Sequence, residues 1–377
     1  MTLISRANTF KVPFITGDLV LSSKKKTPFV PPTINYDVST LLNDEDIKYF
    51  PNDMAQKIYI ITPHLILAMA GVVAEMKAFL KDLKIRCSYY NDLQPEHIHQ
   101  FLKEYDLRKN YSGSAFFMML SNHGDNNKLQ VSHFDSGEWD ELNTPIFNDL
   151  SSIGSGSETF NLWASQEINF ETTSTLGNPD YALTVSVCQA ARLLGIERVT
   201  LATIKKAWGA GYEVAFYTGT HFIKLDEIVY LIFECAYDEE GNISDPVLTK
   251  AMYYYYYPEI LRITSLDILE AQVIEKGSQL EIRGQRIQVG YFDIPSLDIG
   301  IIQSSDNLPD DLSFYTERVA ASIVVTQKEA GIYDMAFFNE GRDGFVKFQS
   351  NESFTVSLPT EIMEKMRAGA KKAFLKV

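Results

Sequence analysis

The side chains that could carry chemistry are few and scattered. His97 and His99 stand two apart in QPEHIHQF. On a strand they would share a face and could begin a metal site, but Pro95 to Tyr105 reads as a helix, where that spacing diverges. His123 sits in the turn sequence SNHGD without a GxSxG nucleophile motif anywhere near it, so a Ser/His/acid triad is not supported. Cys87, Cys188 and Cys235 are odd in number, far apart and set among apolar residues. They suit buried small hydrophobes better than a disulfide framework or a CxxC metal site. Ser155 lies in a Gly/Ser loop, SSIGSGS, where with Glu158 it could also cap the helix that follows. The run Tyr253 to Tyr257 would alternate along a strand and present rings to both faces. With no basic residues beside it, the run suits sheet packing or a subunit contact rather than nucleic-acid stacking.

Charge narrows the partners. The 377 residues include 34 basic and 49 acidic side chains, for a net charge of −15. Such a chain repels a phosphate backbone, and positive charge concentrates only at Lys24 to Lys26 and around Lys371 and Lys372, so no nucleic-acid partner is expected. An anionic substrate is disfavoured for the same reason. With 45% hydrophobic and 22% charged residues the composition is globular, and the length suits about two domains. No stretch approaches the ~18 to 20 apolar residues that cross a bilayer. MTLISRANTF lacks the basic, apolar, small-residue order of a signal peptide. The expectation is a cytoplasmic protein with no membrane partner.

The elements follow from periodicity. Phe10 to Ser23 reads as a hairpin around Thr16-Gly17-Asp18. From Lys26 to Asn52 the chain is first Pro-rich and then acidic, which suits a long loop. Lys57 to Thr62 is a strand, and Leu65 to Ala70 is an apolar run ending at Gly71, a residue suited to a turn. Val72 to Lys84 has helical spacing through Met76, Phe79, Leu80 and Leu83. A helix over Pro95 to Tyr105, strands over Ala115 to Ser121 and Lys128 to Phe134, and a helix in ETFNLWASQEI come next. Tyr181 to Leu194 reads as an amphipathic helix and Leu201 to Ala207 as another, followed by strands Tyr212 to Thr218 and Ile228 to Cys235. Helices arriving in pairs between groups of strands suggest helical layers around a sheet sandwich. Past Asp245 short alternating runs dominate, closed by a helix over Thr360 to Leu375. Two units are therefore expected, residues 1–244 and a β-rich extension over 245–377.

In this order, the segments GDLVLSS, KIYIITPHLILAMAG running into VVAEMKAFLKDL, FFMMLSNHGDNNKLQVSHFDSGEWDE and SSIGSGSETF resemble the proteasome subunit family of the N-terminal nucleophile (Ntn) hydrolases. The resemblance spans residues 1–235. It implies an α+β fold, a four-layer αββα Ntn-hydrolase sandwich carrying the additional C-terminal β-rich region. In active members of that family the nucleophile is a Thr at the mature N-terminus, and its own α-amine, with a pKa of about 7.7 to 8.0, is the base. Carried over by motif, Thr2 would be the nucleophile after Met1 removal, Lys57 its electrostatic partner, Gly71 the oxyanion turn and Ser155 the supporting serine. Thr9 fits the hairpin spacing but would need cleavage after Asn8. The family's aspartate after the hairpin falls on Ser23 or Lys24, and the one before the small-residue turn falls on Ala207 or Trp208. The run SSKKK is similar to the non-catalytic α-type subunits of the family.

Taken with the resemblance, two functions stand open. One is an amide-bond (peptide) hydrolase that needs no cofactor and no metal. The other is a catalytically inactive, α-subunit-like assembly or scaffold protein. Self-association into a homo-oligomer is expected in either case. For Thr2 the alternative is a frayed chain end, and for Lys57 a lysine snorkelling from the end of a sheet.

Overall fold

The computed structural model of the chain describes residues 3–9, 12–33, 47–105, 113–123, 129–136, 142, 147–164, 179–199, 202–236, 240, 242–257, 259–298, 313–316, 318–326, 332–340, 345–349 and 353–374. Of the sequence expectations, Thr2 and residues 34–46 of the Pro-rich to acidic segment lie outside these residues.

Strands β1 (Leu3–Thr9) and β2 (Val12–Asp18) pair antiparallel, with Ile4 opposite Gly17 and Thr9 opposite Val12. Past β2, the chain forms the short pair β3 (Val20–Ser23) and β4 (Phe50–Met54). Next come β5 (Ile58–Thr62), β6 (Leu65–Ala70), helices α1 (Val73–Cys87) and α2 (Pro95–Glu104), and strands β7 (Ala115–His123) and β8 (Leu129–Asp135). β5 to β8 form one antiparallel sheet in chain order. β9 (Asn148–Gly154) returns to the free side of β1, while β10 (Tyr212–Tyr217) and β11 (Phe222–Lys224) extend the sheet beyond β2. β2 and β6 are buried along their whole length, as sheets covered on both faces require. Ile4, Ile15, Ile58, Ile66 and Phe117 form the core between the five-stranded and four-stranded sheets. Phe79, Leu80, Ile98 and Phe101 of α1 and α2 cover the other face of the four-stranded sheet.

The expected αββα sandwich is not what the chain forms. Among the described residues 52% lie in strands and 25% in helices, and there are four sheets, the largest of nine strands. In that sheet β12 (Ile228–Cys235) pairs antiparallel with β13 (Val247–Tyr257) and parallel with β17 (Arg318–Thr326), so its ladder runs across residue 245. β14 (Ile260–Lys276) and β15 (Gln279–Pro295) are 17 residues each, far longer than the short runs expected there. Helix α4 (Pro179–Val199), following the short α3 (Ser157–Ala164), shows why the layers differ. It packs against β2 and β10 and also against β17 and its neighbour β18 (Ile332–Glu340). Nearly every described residue from Ala182 to Arg198 is buried. A helix apolar all round belongs inside a protein; α4 is therefore an interior element between two sheets, not the outer amphipathic layer that its sequence suggested. The four-residue α5 (Ala202–Lys205) and the terminal α6 (Thr360–Phe374) complete the helices, and no helix among the described residues is long and apolar enough to cross a membrane.

A second correction concerns Thr16-Gly17-Asp18. This tripeptide is not a hairpin turn but the buried end of β2. The chain leaves the sheet at Leu19, whose N–H is 3.1 Å from both Gly209 O and Gly211 O, and the Val20 N–H reaches Gly209 O at 3.0 Å. The exit is fixed by a distant turn rather than by local turn chemistry.

Candidate functional site

Asp18 is the hub of a closed polar cluster at the start of β1. Its Oδ1 accepts the backbone N–H of Leu3 at 2.8 Å and pairs with Lys57 Nζ at 2.6 Å. Its Oδ2 accepts the N–H of Gly209 at 2.9 Å. The Lys57 ammonium also donates to Val20 O at 2.7 Å. Both side chains are 0% exposed. Burial pushes the Lys57 pKa below the usual lysine value, against the opposing charge and hydrogen bond of Asp18. A charge buried this deeply is tolerated only when paired and hydrogen-bonded, and each partner here supplies that for the other.

Two more buried carboxylates brace the pair. Glu213 of β10 accepts the backbone N–H of Lys57 at 2.7 Å through Oε2. Its Oε1 takes Lys224 Nζ at 2.7 Å and the Tyr256 hydroxyl at 2.9 Å. On the aspartate side, the turn from Ala207 to Gly211 holds positive φ at Ala207 (61°), Gly209 (109°), Ala210 (66°) and Gly211 (109°). For alanine this left-handed region is strained. Glu197 of α4 holds the turn: Oε1 accepts the Ala210 N–H at 2.7 Å and the Thr33 hydroxyl, and Oε2 accepts the Tyr212 hydroxyl at 2.9 Å. Burial pushes the Glu197 carboxyl up to about 7 despite these donors.

The residues carried over from the resemblance fall as follows. Lys57 is in the cluster, one residue before β5, and is fully buried rather than snorkelling. Its carbonyl accepts the Met69 N–H at 3.0 Å, which puts Gly71 two residues further on, just past the end of the neighbouring strand β6. Gly71 has φ +124°, and a Cβ there would collide with Gly113 O and Ser114, so glycine is required by close approach of two backbones. Ser155 lies one residue past Gly154, which is opposite Leu3 in the β1–β9 register. Its buried hydroxyl has no hydrogen-bond partner among the described residues, while Ser157 donates to Gly154 O at 2.9 Å. Gly156 of the same loop packs on the Trp208 ring, joining it to the strained turn. Thr9 is buried at the far end of β1. Ser23 and Lys24 lie beyond the cluster, and Ala207 and Trp208 are part of the turn.

Sequence reasoning missed Asp18, Glu213 and Glu197. Asp18 and Glu213 did leave a signal, because each interrupts an apolar strand, FITGDLV and GYEVAFY, where an unpaired charge could not remain.

Other nucleophiles are poorly placed. The three cysteines are free and buried, with burial raising Cys87 and Cys235 to about 11 and Cys188 to about 12, so none is a thiolate near neutral pH. His97 and His99 lie on α2 as expected from the sequence, and no group of three metal-ligating side chains occurs among the described residues. What the cluster offers is a fixed cation and carboxylate at the peptide that follows residue 2. No protein-family model and no curated protein sequence matches the chain.

Proposed function

We propose that the chain is an amide hydrolase whose nucleophile is Thr2, freed by removal of Met1. The supporting observation is the bridge Leu3 N–H to Asp18 Oδ1 to Lys57 Nζ. Covalent geometry puts the Cα of residue 2 about 2.4 Å from the Leu3 nitrogen, so the cluster acts on the first peptide of the mature chain. In this mechanism the Thr2 Oγ adds to the substrate carbonyl carbon while its proton passes to the Thr2 α-amine. The C–N bond then breaks, the leaving amine takes that proton, and an ester remains on Thr2. Water, deprotonated by the same amine, hydrolyses the ester to release the acid. The buried Lys57 cation favours the neutral amine and an ionised hydroxyl by its charge. The Gly71 turn would supply an N–H to the oxyanion. The Ser155 hydroxyl, buried without a described partner, suits contact with the reacting end of the chain.

The test is a peptide α′,β′-epoxyketone, whose ketone is attacked by a hydroxyl and whose epoxide is opened by an adjacent amine. The expected result is a protein lacking Met1 that gains one reagent mass on residue 2, abolished by Thr2→Ala. Retention of Met1 with no processed N-terminus would overturn the proposal. Three buried free thiols favour a reducing, cytoplasmic setting for this activity.

A second reading has one observation behind it. The 0% exposure of both Asp18 and Lys57 also suits an ion pair that only shapes a catalytically silent assembly subunit. In that case the epoxyketone adds nothing and light scattering reports a closed homo-oligomer.

A further inference from the structure

We infer that Glu197 is a positioning residue for the Thr2 site, acting through the turn from Ala207 to Gly211; this rests on the hydrolase reading above. Adjacent amides of one turn bind two different carboxylates: Gly209 N–H goes to Asp18 Oδ2 and Ala210 N–H to Glu197 Oε1. The turn also returns two carbonyls, Gly209 O and Gly211 O, to the amides that follow Asp18. Asp18 is thus gripped from both its side chain and its chain exit by a segment that Glu197 anchors.

The anchor holds a conformation the chain would not adopt alone. Ala207 and Ala210 both lie in the left-handed region, where the Cβ of alanine crowds the following carbonyl oxygen. At Gly209 a Cβ would run into the Glu197 carboxylate, so the carboxylate is seated directly against the backbone it holds. Thr33 and Tyr212 donate to Glu197 from the other side and fix its rotamer. Asp18 in turn orients Lys57 Nζ and the Leu3 amide. The chain of contacts runs from Glu197 to the turn, to Asp18, to the two groups beside the nucleophile. Glu197 thus reaches these two groups through the turn and Asp18 and positions them.

The experiment compares wild type with Glu197→Ala and Glu197→Gln in the full chain. Two readouts are taken per folded molecule: the rate of epoxyketone addition to Thr2, and hydrogen exchange at the Gly209 and Leu3 amides. Glu197→Ala is expected to slow addition at least tenfold at saturating reagent, with little change in the half-saturating concentration, and to deprotect both amides. Glu197→Gln keeps an acceptor for Ala210 and is expected to restore most of both. If Glu197→Ala does not fold, Thr33→Val removes one donor to the carboxylate from outside the turn and is expected to slow addition several-fold. Unchanged addition and unchanged exchange in the folded variants would overturn the inference. If the wild type does not react, the hydrolase reading fails by itself, and exchange still decides whether Glu197 positions Asp18.

Discussion

Glu213 Oε2 accepts the backbone N–H of Lys57 at 2.7 Å, and that bond sets where the lysine side chain begins. The same oxygen lies 3.3 Å from the Ile58 N–H, so two successive amides at the start of β5 converge on one buried carboxylate. Its other oxygen is saturated by Lys224 Nζ and the Tyr256 hydroxyl. The cluster around Asp18 is therefore held at its lysine end by β10 and at its aspartate end by α4.

Removing Glu213 should be costly. Glu213→Ala leaves the Lys57 amide and the Tyr256 hydroxyl without their acceptor and the Lys224 ammonium without its carboxylate, a loss of about 3 to 5 kcal/mol for a buried charged network. Glu213→Gln retains an acceptor for the Lys57 amide and should lose less. Urea unfolding of the two variants checks the order, and equal losses would show that the amide contact does not matter.

The Asp18–Lys57 pair should show strong coupling. Lys57→Met takes the ammonium away from the buried Asp18 carboxylate, and Asp18→Asn takes the carboxylate away from the buried Lys57 ammonium, each costing about 3 to 5 kcal/mol. The double variant removes both charges and should recover most of one of those losses. A double-mutant cycle by chemical unfolding measures this; additive losses would mean that the two groups do not stabilise each other. All three variants should lose epoxyketone addition at Thr2.

Much of the central architecture was readable from periodicity, and the reasons differ for what was not. Strands such as β6 and β7 and helices such as α1 follow from local apolar spacing, so their bounds lie close to expectation. The role of α4 was not readable, because the strands that cover its second side, β17 and β18, come over 100 residues later. Asp18 looked like a turn residue since Gly-Asp between β-rich runs is a turn signal, whereas its surroundings are supplied by Gly209, 191 residues away in sequence. Lys57, carried over by motif, is buried and shares Asp18 Oδ1 with the Leu3 amide. Its partners could not be read, because they arrive from three separate segments.

Gly71 should tolerate no side chain. A Cβ at φ +124° would meet Gly113 O and Ser114 Cα, both backbone atoms that cannot swing aside. Gly71→Ala is expected to cost about 2 kcal/mol or more from strain and displacement of the β6–β7 ends. Thermal unfolding checks the stability. The rate of epoxyketone addition to Thr2 per folded molecule checks whether the displaced N–H also served the oxyanion.

Glu197 should leave a signature in the pH dependence of stability. Its pKa is raised from 4.5 to about 7 in the folded chain, chiefly by burial. The facing groups are Asp18, whose charge raises it further, and the Thr33, Ala210 and Tyr212 donors, which lower it; Tyr212 and Tyr254, whose own pKa values burial holds well above 10, stay neutral throughout. Because the folded state keeps the proton that the unfolded chain releases, the contribution is fully present below about pH 4.5 and is lost as pH rises through about 7. The loss across that window is on the order of 3 kcal/mol. Other groups titrate in the same range, so the measurement is the difference between wild type and Glu197→Gln, whose side chain cannot ionise. Stability determined by urea unfolding at steps between pH 4 and pH 8 should fall more steeply for the wild type, with the two curves separating by that amount. Parallel curves would place the Glu197 proton outside this window and would mean that three donors outweigh burial at the turn.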